Sequence, residues 1–435
     1  MTWMKTYQSR VTTAAEAMKA VRSGDRIFLT GNCSVPQKLM EALVERAPEL
    51  ENVEICHALT IGSSDYVAPE MEGHIRANSL FIGPNVRKAV QEGRADFTPV
   101  LLSEFTLLFK NQVLPLDVAF VHLSPPDEHG FCSFGIETGL TKTPAEAAKI
   151  IIAEVNQNMP RCLGDSFIHV SRLDYIVPVN YPLLELPMSE GGLSDIHVKI
   201  GQYIADLIPN GATMQMGIGV IPDAVLNFLQ NKRDLGIHTE LFSDSVIDMV
   251  EAGVITNSLK TINTGKITAG FMLGTKRLYD WSHDNPLIEL RRTEYINDPF
   301  VIAQNDRQVA INSAIEVDLT GQVCADSIGP KLYSGVGGQF DFIYGASRSK
   351  GGVPIIALPA TAIIKGNEIS RIAPMLKHGA GVVTSRYHVH YVVTEFGVAS
   401  LYGKTIRERA RELINVAAPQ FREELAHTAK ELHYL

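Results

Sequence analysis

The fold of this 435-residue chain is indicated most clearly by the stretch Thr213-Met-Gln-Met-Gly-Ile-Gly-Val-Ile-Pro-Asp-Ala-Val-Leu-Asn-Phe-Leu229. Its first four residues predict a short strand, and the two glycines that follow predict a turn. The apolar spacing from Pro222 to Lys232 predicts a helix with proline in its first turn. Ile237–Leu241 then predicts a second strand. This alternation is typical of an α/β fold with a mainly parallel sheet.

The same order of elements occurs earlier in the chain. Gly31-Asn-Cys-Ser-Val-Pro-Gln-Lys-Leu-Met-Glu-Ala-Leu43 matches Gly217–Leu229 at its first glycine, its proline and its last leucine. Each segment follows a predicted strand, which is Arg26–Thr30 in the first case. At the same offset, Glu54 falls opposite Glu240. These coincidences favour two related α/β halves.

Tyr181–Ser194 carries two prolines and two glycines with little periodicity, and it predicts a connection between domains. We therefore predict two related, open α/β halves with mainly parallel sheets, at residues 1–190 and 191–435. Ligands of such folds bind in the crevice outside the carboxyl ends of the strands, so we expect a binding site there. Val317–Cys324 predicts antiparallel hairpin material within the second half.

The composition narrows the classes of function. Asp and Glu total 48 against 39 Lys and Arg, a formal net charge of −9, which argues against a nucleic-acid binder. The five cysteines are scattered without a C-x-x-C pair, as expected of reduced thiols. Neither a signal peptide nor an apolar run of about 18 residues is evident. We therefore expect a soluble cytoplasmic protein that does not enter a membrane.

Two glycine clusters are candidates for ligand binding. Gln215-Met-Gly-Ile-Gly219 lies where a strand precedes a helix, so its backbone N–H groups can face an anion or a developing oxyanion. A tight turn without a ligand explains the same residues. Pro222 stands where the dinucleotide fingerprint needs its third glycine, so that fingerprint is absent. Ser334-Gly-Val-Gly-Gly338 either allows close approach of a ligand or forms a turn.

Glu240 lies late in a predicted strand, within His238-Thr-Glu-Leu-Phe-Ser-Asp244. A glutamate in such a strand commonly points outward into solvent, but the nearby glycine turn at Gly217 favours a functional role, because a carboxylate beside backbone donors suits nucleophilic acyl chemistry. His388-Val-His390 would place two imidazoles on one face of a strand. No third ligand follows at a suitable spacing, so we predict no metal site.

Motifs spread over nearly the whole chain carry a resemblance to a known family. They are Ser124-Pro-Pro-Asp-Glu-His-Gly-Phe-Cys-Ser-Phe-Gly135, Gly217-Ile-Gly-Val-Ile-Pro222, His238–Asp244, Gly335-Val-Gly-Gly-Gln-Phe-Asp-Phe342, Ile356-Ala-Leu-Pro359 with Ser370-Arg-Ile372, and Tyr391-Val-Val-Thr-Glu-Phe-Gly397 leading to Gly403-Lys404. The chain resembles the acetyl-CoA hydrolase/transferase family of CoA-transferases. Its nearest branch comprises 4-hydroxybutyrate and butyrate:acetate CoA-transferases.

The resemblance implies two α/β halves with the active site between them and a catalytic glutamate at Glu240. It implies acyl-CoA and a short-chain carboxylic acid as substrates, coenzyme A as substrate rather than prosthetic group, no metal, and a homodimer or homotetramer. The family often has Arg where this chain has Tyr402, and His where it has Ala418. The glycines that the resemblance assigns to CoA and oxyanions are Gly217, Gly219, Gly335, Gly337 and Gly338.

Position in the chain adds further candidates. We predict oxyanion donors in the Gln215 side chain and in backbone N–H groups near Gly31 and Gly337. CoA is polyanionic while the chain is acidic, so positive charge must be local, and the candidates are Lys365, Arg371 and Lys404. The resemblance implies ping-pong transfer through a glutamyl-CoA thioester. Acyl-CoA hydrolysis by the same glutamate and non-catalytic CoA binding remain alternatives, and acetate, butyrate and 4-hydroxybutyrate remain possible acids.

Overall fold

The computed structural model describes residues 2–187, 193–217 and 219–435. The chain divides into two compact units. Unit 1 comprises Met1–Pro187 and Thr268–Ile296, and unit 2 comprises Met188–Ile267 and Asn297–Leu435. Residues 188–192 of the predicted connection lie outside the described residues. The chain passes from unit 1 to unit 2 near residue 190, and the later segment Thr268–Ile296 groups with unit 1 by its contacts.

The strands are mostly short and apolar. In chain order they are β1 (Arg26–Leu29), β2 (Val53–His57), β3 (Ile75–Ser79), β4 (Asp96–Phe97), β5 (Val118–Leu123), β6 (Phe131–Ser133), β7 (Ile150–Asn156), β8 (Phe167–His169), β9 (Tyr175–Val179), β10 (Thr213–Met216), β11 (Gly236–Phe242), β12 (Ile267–Met272), β13 (Ile288–Leu290), β14 (Gln308–Ser313), β15 (Glu316–Asp318), β16 (Val323–Cys324), β17 (Ser327–Ile328), β18 (Lys331–Leu332), β19 (Val353–Ala357), β20 (Thr361–Ile364), β21 (Asn367–Ser370), β22 (Ile372–Ala373), β23 (Tyr391–Thr394) and β24 (Gly397–Ser400).

The helices alternate with these strands. In chain order they are α1 (Thr2–Arg10), α2 (Ala14–Met18), α3 (Gln37–Arg46), α4 (Pro84–Gln91), α5 (Leu102–Lys110), α6 (Lys142–Ala147), α7 (Asp195–Leu207), α8 (Val220–Asn227), α9 (Ser245–Glu251), α10 (Lys276–Ser282), α11 (Thr293–Ile296), α12 (Pro299–Ile302), α13 (Gln339–Arg348), α14 (Ile406–Val416) and α15 (Arg422–Glu431). Within the described part of the chain, no helix has both the length and the apolar character needed to cross a membrane.

Unit 1 contains a parallel sheet with the strand order β4-β3-β2-β1-β5-β7-β9. Strand β5, in the interior of this sheet, is buried along its whole length, as expected when helices cover both faces of a parallel sheet. Helix α3 turns Leu39 and Leu43 into the core, against strand residues such as Ile27. This i, i+4 spacing places both leucines on one face of the helix.

Unit 2 repeats that topology. Strand β10 pairs in parallel with β11 and β14, as β1 pairs with β2 and β5. The sheet continues through β19 and β23, and β24 closes it as an antiparallel edge strand. The prediction of two related α/β arrangements with mainly parallel sheets is confirmed. The predicted hairpin is also confirmed, since Glu316 pairs with Cys324 in an antiparallel ladder.

Two local expectations were wrong. Helix α8 begins at Val220 rather than at Pro222, because proline is tolerated throughout a first turn whose N–H groups need no partner within the helix. Glu54 is not the counterpart of Glu240. It pairs with Arg26 at the beginning of β2, whereas Glu240 lies near the end of β11. The loops between helix and strand differ in length in the two halves. The offset that aligns Gly31–Leu43 with Gly217–Leu229 therefore does not align the strands that follow.

Candidate active site

Glu240 lies near the carboxyl end of β11, where its side chain is half-buried. The Thr239 hydroxyl donates to the Met216 carbonyl over 3.2 Å, so the carboxyl ends of β10 and β11 lie side by side. Side chains two residues apart on a strand share a face, so Glu240 points the same way as His238. The His238 ring lies 6.2 Å from that of Phe342 on α13. Glu240 therefore lies on the face of the sheet that α13 covers.

The amino-terminus of α13 meets the Glu240 carboxylate through Gly338, which precedes the helix and donates its backbone N–H to it. A Cβ at Gly338 would lie 2.1 Å from Glu240 Oε2 and 2.3 Å from the Asn297 side-chain nitrogen. The φ of Gly338 is −94°, which any residue adopts. Glycine is therefore required here by the closeness of the carboxylate and not by backbone conformation.

Asn297 and Asp341 complete the surroundings of Glu240. Both are fully buried. The Asn297 Nδ2 group donates to Glu240 Oε2 over 3.3 Å and to Asp341 Oδ2 over 3.4 Å. No sequence pattern assigned a role to either residue, although Asp341 lies within the motif Gly335–Phe342. Asn297 lies 57 positions from Glu240, and its Asn-Asp-Pro context is that of an ordinary helix start, so no local signal could have found it.

The environment of Glu240 disfavours its charged form. Burial raises its pKa to about 7, with a smaller rise from the negative charge of Asp341. The hydrogen bonds from Asn297 and Gly338 oppose the rise but do not cancel it. The carboxylate is therefore a stronger base than an ordinary glutamate, and it is still substantially ionised near neutral pH.

This pKa predicts a pH-dependent stability. A carboxyl group whose pKa is raised on folding costs stability as the pH rises from its unfolded value toward its folded one. Relative to the wild type, Glu240→Gln is therefore expected to gain roughly 3 kcal/mol of unfolding free energy between pH 4.5 and pH 8. Urea unfolding of both proteins at the two pH values measures the difference. An equal effect of the substitution at both pH values would contradict the raised pKa.

Gln215 presents an amide on the same face as Glu240. Met214 of β10 pairs with Ile237, which places Gln215 beside His238 with its side chain directed the same way. The Gln215 carbonyl oxygen accepts from the Ile311 N–H and from the Asn312 side chain, each over 3.1 Å. These bonds fix the orientation of the amide. Its NH2 group has no hydrogen-bond acceptor among the described residues, so it is oriented as a donor.

The glycine turn after β10 forms the amino-terminus of α8. Gly219 precedes the helix with φ +123°, a conformation that favours glycine. Gly217 has open space where a Cβ would lie. Ile218 between them lies outside the described residues. The turn offers room and backbone donors for an anionic ligand.

The three candidate cations differ in their surroundings. Lys365 is exposed at the tip of the β20–β21 hairpin with φ +51°. Arg371 donates to the backbone carbonyls of Ala314 and Ile315, the latter over 2.9 Å. Lys404 forms a 2.7 Å ion pair with a glutamate of α14. None of these three side chains forms a hydrogen bond with Glu240. Their role in binding CoA stays a prediction.

Gly31 lies in unit 1, directly after β1. A Cβ there would lie 2.4 Å from the Leu59 carbonyl oxygen, to which the Asn32 N–H donates over 2.6 Å. The close approach of these two backbone segments explains the glycine. Its proposed part in binding an oxyanion stays a prediction.

The expected strand placement of His388 and His390 was wrong. Both precede β23: His388 lies in a turn closed by the bond from its N–H to the Ser385 carbonyl, and His390 lies between that turn and the strand. Their rings pack on aromatic neighbours, His388 on Tyr344 and His390 on Tyr402. In the part of the chain that the structure describes, no group of three His, Cys, Asp or Glu side chains is arranged to hold a metal ion.

Known proteins share both sequence and structure with this chain. The acetyl-CoA hydrolase/transferase N-terminal domain matches residues 1–183, and the C-terminal domain of the same description matches residues 274–429. A 4-hydroxybutyrate coenzyme A transferase of Clostridium kluyveri is 51% identical over 99% of this chain and 100% of its own length. A butyryl-CoA:acetate CoA-transferase of Anaerostipes caccae is 38% identical over 99% and 98%. The crystal structure of a 4-hydroxybutyrate CoA-transferase from Porphyromonas gingivalis superposes with a TM-score of 0.85 at 40% identity, covering 99% and 100% of the two chains.

Proposed function

This chain belongs to the acetyl-CoA hydrolase/transferase family as a CoA-transferase, and we propose that it moves CoA between an acyl-CoA and a short-chain carboxylate such as acetate, butyrate or 4-hydroxybutyrate. The observation that carries the proposal is the state of Glu240. Its carboxylate is half-buried, accepts hydrogen bonds from Asn297 and Gly338, and forms no ion pair within the described residues. A carboxylate held in this way is suited to act as a nucleophile.

The proposed reaction begins when Glu240 Oε attacks the thioester carbonyl of acyl-CoA. The C–S bond breaks, which gives a mixed anhydride of Glu240 and releases CoA thiolate. The thiolate then attacks the Glu240 carbonyl carbon, which forms the glutamyl-CoA thioester and releases the first acid as its carboxylate. A second carboxylate reverses both steps and leaves as the new acyl-CoA. Each step conserves the acyl activation, because no water enters.

Two carbonyl oxygens become negative during this sequence, and each needs hydrogen-bond donors. The oxygen of Glu240 itself already has the Asn297 side chain and the Gly338 N–H as partners. For the substrate oxygen we propose the Gln215 NH2 group, which is oriented on the same face of the sheet. The N–H groups near Gly337 and Gly31 are the further predicted donors.

For CoA we propose the turn at Gly217 and Gly219, where backbone donors meet open space at the start of α8. Lys365, which forms no ion pair among the described residues, is the proposed cation for a phosphate group. The Arg371 guanidinium is held by backbone carbonyls, so its proposed contribution is its charge. The homodimer or homotetramer implied by the family resemblance stays a prediction.

An acceptor panel tests the proposed function. The enzyme is given acetyl-CoA or butyryl-CoA with acetate, butyrate, 4-hydroxybutyrate or no acid, and chromatography measures each acyl-CoA while a thiol reagent measures free CoA. We expect a new acyl-CoA in proportion to the acid added and little thiol release without acid. Thiol release at one rate with and without acid would establish a hydrolase instead. Binding of acyl-CoA with neither product would establish a non-catalytic CoA-binding protein.

A further inference from the structure

One amide in unit 2 is shared by two carboxylates. Asn297 Nδ2 lies 3.3 Å from Glu240 Oε2 and 3.4 Å from Asp341 Oδ2, and its Oδ1 atom is buried without a hydrogen-bond partner. Rotating the amide by half a turn would bring Oδ1 against both acceptor groups. The two carboxylates together therefore decide which end of the Asn297 amide faces Glu240.

Asp341 is fixed on the element that also supplies the Gly338 donor. It lies in the first turn of α13, three residues after Gly338, and is fully buried. The neighbouring Gln339 side chain donates to the Ser313 carbonyl over 2.6 Å and accepts from the Thr384 hydroxyl over 3.2 Å. This turn of helix is therefore held from two directions, and Asp341 cannot shift independently of it.

The proposed reaction removes one of the two partners of the amide. When Glu240 becomes an anhydride, its negative charge passes to the CoA thiolate, and when the thioester forms, that charge leaves on the released carboxylate. The hydrogen bond between Asn297 and Glu240 then weakens, because a neutral carbonyl is a poorer acceptor than a carboxylate. The reaction does not alter Asp341, whose hydrogen bond with Asn297 still orients the NH2 group toward the Glu240 carbonyl oxygen.

We propose that Asp341 is a positioning residue, which keeps the Asn297 amide directed at Glu240 through the covalent stages and whose charge favours the states in which Glu240 is neutral. The inference rests on the proposed function. Two buried like charges that share one donor repel each other, and forming the glutamyl-CoA thioester relieves that repulsion. The enzyme thereby stabilises its covalent intermediate relative to its free carboxylate.

The groups around Glu240 come from three elements. His238 lies on its own strand, Asn297 lies in the loop before α12, and Asp341 and the Gly338 N–H belong to the start of α13. Within the described residues, none of these elements brings a lysine or arginine into an ion pair with Glu240. The negative charge of Asp341 therefore acts on Glu240 without a screening cation bound to Glu240 itself.

Asp341→Asn tests the inference, because it removes the charge while keeping the shape. We expect the acidic limb of the pH profile of kcat/KM to move to lower pH. At a fixed ratio of acyl-CoA to free acid, we expect the fraction of enzyme that carries CoA to fall roughly tenfold, as measured by intact-protein mass spectrometry. Asp117→Asn is the matched control. Asp117 is a half-buried carboxyl directly before β5, at the opposite end of the strand from the carboxyl ends at which ligands bind, and this variant is expected to change neither quantity.

Asp341→Glu separates charge from position. It retains the charge but moves the carboxylate by one methylene. We therefore expect the acidic limb of the pH profile to stay where it is in the wild type, with a lower kcat. This variant also tests the inference if Asp341→Asn does not fold. A folded Asp341→Asn enzyme with the wild-type pH limb and CoA occupancy would overturn the inference. An Asp341→Glu enzyme with a displaced pH limb would do the same. Failure of the wild type to acquire CoA at Glu240 would instead overturn the proposed function.

Discussion

Glu240→Gln is expected to lower kcat/KM for CoA transfer by about 10⁴-fold or more, the scale seen when an enzyme loses its nucleophile. Glutamine keeps the volume and the hydrogen-bonding capacity of the side chain, but its amide cannot form the anhydride or the thioester. Because the buried charge is removed, the protein is expected to fold at least as stably as the wild type near pH 8. Loss of activity in this variant therefore reports on chemistry.

The covalent intermediate can be measured directly. Hydroxylamine or borohydride is expected to inactivate the wild type only after acyl-CoA is added, and intact-protein mass spectrometry should show CoA on the wild type alone. Glu240→Asp shortens the nucleophile by one methylene, so little transfer is expected and a larger share of the product should be free acid and CoA. Transfer at the wild-type rate by Glu240→Gln would refute the assignment.

Glu54→Gln is a matched control for the loss of a strand glutamate. Glu54 is also half-buried on a strand of a parallel sheet, where it forms a 2.8 Å ion pair with Arg26. Its position at the beginning of β2 is far from the strand ends at which ligands bind. We expect this variant to retain transfer and to acquire CoA from acyl-CoA. Loss of both in Glu54→Gln would mean that removing a structural carboxylate suffices to inactivate the enzyme.

Gly338→Ala is expected to lower kcat about 10²- to 10³-fold, the cost of losing a donor to a developing oxyanion. Its methyl group would lie 2.1 Å from Glu240 Oε2 and 2.3 Å from the Asn297 nitrogen, so the carboxylate or the start of α13 must move. Either movement breaks the bond between the Gly338 N–H and Glu240. Steady-state kinetics together with the yield of enzyme-bound CoA measure the effect. A Gly338→Ala enzyme with wild-type kcat would show that this contact is dispensable.

A second glycine variant, which is destabilised by backbone strain and not by a contact with Glu240, shows how much activity is lost through reduced stability alone. Gly265 has φ +77° and no atom within 4 Å of an added Cβ. Gly265→Ala is therefore expected to cost about 1 kcal/mol through backbone strain and to leave kcat unchanged. If Gly265→Ala lost as much activity as Gly338→Ala at equal stability, the specific contact at Glu240 would not explain the result.

Much of the fold follows from local pattern. The short apolar run at Thr213–Met216 forms a strand with the predicted bounds, because an unbroken apolar run of this length suits a strand that is buried on both faces of a parallel sheet. The glycines around Gly217 mark the turn before α8. This turn can be predicted from the sequence because it depends on the backbone conformation of the glycines themselves. The repeat between Gly31–Leu43 and Gly217–Leu229 indicated two related α/β arrangements, and the strand pairing confirms that relation.

The sequence by itself determined the strand–helix alternation and the glycine turns, since each depends on residues close together in the chain, and its motifs carried the family resemblance that singled out Glu240. Only the tertiary structure decided what surrounds each carboxylate: Glu54 forms an ion pair, whereas Glu240 is surrounded by Gly338, Asn297 and Asp341. Asn297 lies 57 positions from Glu240 and 44 positions from Asp341 in the chain. No periodic pattern of the sequence connects residues over such separations. The raised pKa of Glu240 arises from burial and a neighbouring charge, and both exist only once the chain has packed.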